Sequence, residues 1–292
     1  MSVITTLWEH KNFGGQSFTS NSAGWRYFWN KWGAHNDFFS SMRAWSVGHR
    51  GNAYAFEHID FSGRFAALNV GGAFTSSWWS YFGDAFNDKV SSSLIVAREP
   101  VNREIELQLG ALVIPQFASL FDAKVAGKPV SRDGDPRVYA TFFPDYDRDR
   151  VFATIDQRLK VQVRIPLKVT IPNSFGDDIE IDLGQVRWSD YEARVRYDVG
   201  FFVDDGVLHG AAIWSHVWVE AGPFSQRVHD ELAPELHGAK PSLTSAIEGA
   251  LALFGGRRFA DAYLLPGPAP NMNDAGFFAN YDEDITLVLV NA

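Results

Sequence analysis

The chain has 292 residues, 46% of them apolar and 21% charged, with a net charge of −9. That balance describes an ordinary soluble globular protein, and the length is long for one domain and points to two. The absence of cysteine excludes disulfides and thiolate metal sites, and no run approaches the ~18 consecutive apolar residues that read as a membrane-spanning helix.

The opening residues, Met1-Ser2-Val3-Ile4-Thr5-Thr6, lack a basic start and an apolar core, so no secretory signal is visible. A repeat follows. Trp8-Glu9-His10-Lys11-Asn12-Phe13-Gly14-Gly15 and Phe56-Glu57-His58-Ile59-Asp60-Phe61-Ser62-Gly63 share the pattern aromatic-Glu-x-x-x-Phe-x-Gly. Behind each lies a second shared pattern, Asn36-Asp37-Phe38-Phe39-Ser40-Ser41 and Asn87-Asp88-Lys89-Val90-Ser91-Ser92. The copies are offset by 48 residues at the Glu and 51 at the Asp, the period of a duplicated supersecondary unit. Gly15 and Gly63 stand where a hairpin folds over and needs positive φ or a missing Cβ. Each unit then reads as about four short strands with turn-rich connections, the Greek-key proportion.

Each Asn-Asp-x-x-Ser-Ser hexamer packs a carboxylate, an amide and two hydroxyls into six residues. Hard cations such as Ca²⁺ want six to eight oxygen ligands. One hexamer supplies too few, and two brought together supply enough. A single copy is an ordinary turn, since Asn, Asp and Ser side chains bond nearby backbone; two copies behind matching hairpins point to paired cation clamps.

On these motifs residues 1–98 resemble the microbial, calcium-binding type of βγ-crystallin domain, with two Greek-key motifs at about 1–48 and 49–98. The resemblance implies a β-sandwich holding two Ca²⁺ ions. Asp37 and Asp88 would offer side-chain oxygens, Phe38 and Lys89 backbone carbonyls, and Ser40 and Ser91 hydroxyls. Each site would draw its Ser and carbonyl from one motif and its Asp from the other. Glu9 and Glu57 fall where the family's hairpin donates a backbone carbonyl. Ser41 and Ser92 match the hydroxyl that pins the folded hairpin, and Asn36 and Asn87 brace the loops. Thr6 departs from the pattern, being polar where the first hairpin usually starts apolar.

A boundary is expected near Arg98-Glu99-Pro100, where Pro100 breaks a strand. Residues 1–98 carry eight basic and six acidic side chains and seven of the ten Trp; the remainder carries eighteen basic against twenty-nine acidic. So acidic a second part argues against nucleic acid as a partner. The module's Trp25, Trp29, Trp32, Trp78, Trp79 and Tyr81 read mainly as sandwich core and loop cover, with a carbohydrate- or membrane-facing platform as the alternative.

In residues 99–292, Glu104–Leu109 alternates as a strand. After Pro115, Phe117, Leu120, Phe121 and Val125 have helical spacing up to Gly127. Arg137–Phe142 and Arg150–Ile155 read as a hairpin about Pro144–Asp149. Leu159–Ile171 alternates without a break, a long strand with one wet face that Pro166 places at an edge or kinks. Ile179–Leu183 starts another run. Tyr191–Val203 and Val207–Val219 flank the turn Asp204-Asp205-Gly206. Phe224, Val228 and Leu232 predict a helix that Pro234 interrupts. Leu243, Ile247, Leu251 and Phe254 predict a second, capped by Ser242 or Ser245 and ended by Gly255-Gly256. A Pro/Gly loop at 266–270 and a strand near Ile285–Val290 close the chain. The fold class is therefore mainly β, a Greek-key sandwich followed by an acidic α+β domain with a long-stranded antiparallel sheet.

No nucleophile elbow, phosphate loop or dinucleotide fingerprint is present. Asp145, Asp147, Asp149 and Asp156 imitate an EF-hand loop, but Arg150 replaces the required Gly and the flanks read as strands. His209, His216, His229 and His237 lack zinc-site spacing and read as surface histidines. The preferred expectation is a non-enzymatic Ca²⁺-binding protein with an effector or interaction domain, suited to an extracellular or cell-surface setting. Two alternatives stand beside it. One is a membrane-active or glycan-binding toxin- or adhesin-like protein whose long strands form a membrane hairpin. The other is a hydrolase with its site in 99–292, in a cleft lined by His209, His216 and nearby carboxylates.

Overall fold

The computed structural model describes every residue except 1, 24, 33–36, 47, 72–75, 144–149, 172–178, 269–274 and 281–283, and no side chains at 150, 164–171 and 179–189. Asn36 and the aspartates 145, 147 and 149 therefore lie outside the described residues. The protein is mainly β, with several antiparallel sheets.

The first repeat unit forms β1 (Val3–His10), β2 (Gly14–Asn21), β3 (Tyr27–Lys31) and β4 (Ser41–Ser46). The second forms β5 (Arg50–Phe56), β6 (Arg64–Val70), β7 (Ser76–Trp79) and β8 (Ser92–Arg98). Each unit gives three strands to one sheet and its third strand to the other, in the orders β2-β1-β4-β7 and β6-β5-β8-β3. Val3, Leu7, Phe39, Met42 and Ala44 face Ala53, Ala55, Leu68 and Ile95 in one apolar layer between them. Because each unit completes its partner's sheet, neither closes a core alone.

The other face of the β5–β8 sheet is apolar too, with Tyr54, Phe56, Phe65 and Leu94 fully buried. What buries it comes from the rest of the chain. There β9 (Glu104–Gln108) leads into α1 (Leu109–Val125), followed by β10 (Val130–Arg132), β11 (Arg137–Phe143), β12 (Arg150–Ile171), β13 (Ile179–Asp204) and β14 (Val207–Val219). Then come α2 (Ser225–His237), α3 (Lys240–Leu251), β15 (Phe259–Pro266), β16 (Gly276–Asn280) and β17 (Ile285–Asn291). Phe142 of β11 packs between Trp29 and Phe61 at 5.5 and 5.6 Å. The Tyr27 hydroxyl donates to the Leu264 carbonyl and accepts from the Leu264 amide, both at 2.9 Å. β16 pairs with β6, so the late chain supplies a fifth strand to a sheet built by the early chain.

β12, β13 and β14 form an antiparallel meander with β10 and β11 on the outer edge of β12, and β9, β15 and β17 make a separate three-stranded sheet. The helices cover one face of the meander. Phe117 of α1 packs on Tyr197 at 5.7 Å, whose hydroxyl donates to the Leu236 carbonyl of α2 at 2.7 Å. Thr244 of α3 accepts the Ala212 amide at 3.1 Å.

Several expected boundaries are corrected. Residues 150–155 and 159–171 are one strand, as are 179–183 and 191–203. Pro166 sits where β12 pairs only with β13, beside a register shift between Pro166 and Lys168, so its missing N–H breaks no inner ladder. α1 starts at Leu109 rather than after Pro115. Its Gly110 amide donates to Asp284 Oδ1 at 2.7 Å, a carboxylate cap supplied from far along the chain. α2 runs through Pro234, with Leu232, Ala233 and Leu236 buried; that burial offsets the lost backbone bond. α3 takes Ala239 as its N-cap, Ser242 lies inside it, and the Ser245 hydroxyl donates back to the Pro241 carbonyl at 3.0 Å.

Candidate metal centre

The two loops that carry the repeated hexamer are set by their hairpins. Gly15 and Gly63 have φ of +74° and +79°, and a Cβ on either would come within 2.8–2.9 Å of the preceding hairpin arm, at Glu9 and His58. Only glycine fits both demands. The fold-over is tied by carboxylates: Glu9 Oε2 accepts the Gln16 amide at 3.0 Å and Glu57 Oε2 the Arg64 amide at 3.2 Å. The Arg64 guanidinium, bonded to Glu57 at 3.0 Å, holds that carboxyl below its ordinary range.

Ser41 and Ser92 tie each loop to its own hairpin. The Ser41 hydroxyl donates to the His10 carbonyl at 2.8 Å and accepts the Phe13 amide at 3.2 Å. The Ser92 hydroxyl donates to the His58 carbonyl at 2.6 Å. Backbone bonds repeat the symmetry, with the Ser40 amide donating to Trp8 O and the Ser91 amide to Phe56 O, both at 2.9 Å. A lone antiparallel bridge between Phe39 and Val90 then joins the two loops side by side. Asp37 and Asp88 adopt left-handed backbone, φ 55° and 52°, which Asp tolerates better than most residues and which turns each carboxylate toward the other loop.

The outcome is two oxygen clusters that share a cross-loop Ser–Asp pairing and differ in the carbonyl that joins it, Glu9 in one and Lys89 in the other. In one, Ser40 Oγ lies 2.5 Å from the Glu9 carbonyl oxygen and 2.6 Å from Asp88 Oδ1. In the other, Ser91 Oγ lies 3.3 Å from Asp37 Oδ1 and 3.4 Å from the Lys89 carbonyl oxygen. A hydroxyl carries one hydrogen, so it satisfies one of its two acceptors at a time and leaves lone pairs facing each other. The first cluster is the tighter. Asn87 braces it by donating to Asp88 Oδ2 at 2.7 Å. Phe38 is anchored through its ring against Phe18 and Phe39. The Lys89 ammonium points to Glu57, 4.0 Å away, leaving only its carbonyl in the second cluster. Among the described residues no three His, Asp or Glu side chains gather at one point; each cluster holds a single carboxylate.

His216 and His229 lie within electrostatic reach of His237, but among the described residues the histidines form no group that could hold a metal ion. His209 Nδ1 is 3.3 Å from Glu248, His229 lies beside Asp230 at 3.7 Å, and His237 bonds Ser215 at 2.7 Å. Burial, with Lys240 nearby, lowers the His237 pKa. His216 stacks on Trp218 with centroids 5.6 Å apart. A polar network that sequence reasoning missed lies on the same sheet face. Asp198 accepts the Thr154 hydroxyl at 2.6 Å, and Asp156 accepts Tyr139 at 2.9 Å and Arg194 Nε at 2.5 Å. Both aspartates are buried, although both occupy positions of polar parity in their strands. Comparison with protein-family models, with curated proteins and with solved structures gives no match to this chain.

Proposed function

We propose that this is a calcium-binding protein whose first 98 residues are a βγ-crystallin-type double Greek key holding two Ca²⁺ ions, joined to an α+β part with an effector or interaction role. Each unit lends its third strand to the other's sheet, β7 beside β4 and β3 beside β8, which supports a double Greek key. The observation that carries the reading is the cross-loop pairing: Ser40 with Asp88, and Ser91 with Asp37. A divalent ion needs oxygens ~2.3–2.6 Å away on several sides. Carbonyl, hydroxyl and carboxylate oxygens already converge from two loops, so an ion would replace repulsion between lone pairs by attraction to one charge. Glu9, Phe38, Ser40 and Asp88 would hold one ion, and Glu57, Lys89, Ser91 and Asp37 the other, with water completing each shell. One carboxylate per site makes modest affinity the expectation.

An ion bound only by the folded chain stabilises it by RT ln(1 + [L]/Kd), about 2.7 kcal/mol at a hundredfold excess over Kd. For a chain of this size that is a rise in Tm of roughly 5–10 °C. Calorimetric titration and thermal melts of the full chain in millimolar Ca²⁺ test it, with Mg²⁺ as control. The Asp37→Ala/Asp88→Ala variant should lose both the heat and the shift. A melting temperature indifferent to calcium, or a double variant that responds like its parent, removes the reading.

A further inference from the structure

A cavity of about 510 Å³ opens between the end of α1, β10, β12 and α2. It is independent of the calcium loops. Its wall is aliphatic, with Val125, Val161, Val228, Leu232 and Leu236 buried around it. The volume lies within the ~300–1,000 Å³ range of small-molecule sites. It is more than three times the ~150 Å³ apolar cavity that holds a benzene ring. Branched aliphatic walls offer no donors or acceptors, so a sugar or nucleotide would bury unpaired polar groups there at a net cost. An acyl chain loses nothing and leaves water.

The mouth decides which end stays outside. Lys124, Lys128 and Arg227 stand on it with Glu231 and Glu235. Lys128 pairs with Glu235 at 3.0 Å and Arg227 with Glu231 at 2.9 Å. Both acids are thereby matched. Exposed Lys124 has no carboxylate partner among the described residues. The rim thus carries one cation in excess, in a chain whose net charge is −9. Aliphatic depth with a single surplus ammonium at the lip matches one apolar tail bearing one negative charge.

We propose that this cavity binds a free fatty acid, its chain among Val125, Val161, Val228 and Leu232 and its carboxylate at Lys124. The full chain, in EDTA so that calcium plays no part, is titrated with cis-parinaric acid and followed by its fluorescence. The expected result is saturable binding at one probe per chain, displaced by laurate and at least tenfold less well by dodecyltrimethylammonium of the same tail length. Val163→Trp, at the half-buried lip of the cavity, should weaken binding at least tenfold. Lys124→Glu should weaken laurate and strengthen the cationic amphiphile. Circular dichroism melts within a few degrees of the parent certify that both variants fold. No saturable binding to the parent overturns the proposal. So does a folded Val163→Trp chain that binds like its parent, or equal competition by the two amphiphiles. Anionic phospholipid vesicles that bind the chain while laurate fails to displace the probe also overturn it, in favour of a membrane surface.

Discussion

Arg98 is buried to 2% side-chain exposure beside Glu104 at 1%, at the point where β8 hands the chain to β9. Its Nη2 donates to Glu104 Oε2 at 2.6 Å, its Nε to the same oxygen at 3.1 Å, its Nη1 to Asn52 at 3.3 Å, and Nη2 also meets Glu106. Arg98→Met keeps the length and apolar stem but removes the charge. Breaking a buried pair by deleting one partner costs about 3–5 kcal/mol, because the other charge remains buried. Glu104 would retain Arg50 at 2.8 Å, the Glu99 amide at 2.7 Å and the Tyr263 hydroxyl, so the lower end, about 3 kcal/mol, is expected. That is a large share of a total stability of about 5–15 kcal/mol, and a fall in Tm of roughly 6–12 °C. Urea unfolding of Arg98→Met, Glu104→Gln and the double variant checks the cause. The double should cost at least 1 kcal/mol less than the sum of the singles, within the ~0.5–3 kcal/mol coupling expected of contacting residues. Singles costing under about 1 kcal/mol, or strict additivity, would refute the view that this ion cluster ties the two halves together.

Burial is the first cause that raises the Asp198 pKa, partly countered by the Thr154 hydroxyl and Arg196. A raised carboxyl favours the folded state below its unfolded pKa and loses that advantage as pH climbs through the folded value. Asp198→Asn keeps the acceptor for Thr154 and never ionises, so its stability relative to the parent should rise with pH across that interval; melts from acid to neutral pH that run parallel would count against it. Gly63→Ala, in the β5–β6 hairpin, and Gly48→Ala, in the link between β4 and β5, separate two effects. Both positions have positive φ, +79° and +72°, but a Cβ at Gly63 meets His58 at 2.9 Å while one at Gly48 meets nothing within 4 Å. Each should lose on the order of 1–2 kcal/mol for the left-handed backbone, and Gly63→Ala measurably more; equal losses in denaturant titration would show that the hairpin arm yields.

Period-two alternation revealed the long strands because one face of the meander is packed under helices, and its polar partner face follows from the pleat. The same pattern says nothing of depth. Thr154, Asp156 and Asp198 hold the wet parity, yet each is 4% exposed or less, since the side chains beside them lie across the face. Proline misled at 115 and 234 for a related reason: a local breaker yields when enough apolar surface is buried along the helix. The cap of α1 was invisible because its carboxylate, Asp284, is 174 residues away. Nor does any segment announce that β16 will extend the β5–β8 sheet, since pairing is chosen by the exposed edge and the apolar face it completes.

What the chain's order of residues determined by itself is the duplication, the oxygen-rich hexamers, the glycines at their hairpins and the mainly antiparallel strand content, all properties of spacing within a few turns of backbone. Tertiary structure alone decided which oxygens meet, that Ser40 faces Asp88 and Ser91 faces Asp37, and that an aliphatic cavity opens between α1 and α2. Spacing fixes the direction in which a side chain leaves the backbone; its neighbours are fixed only when distant segments are packed against one another.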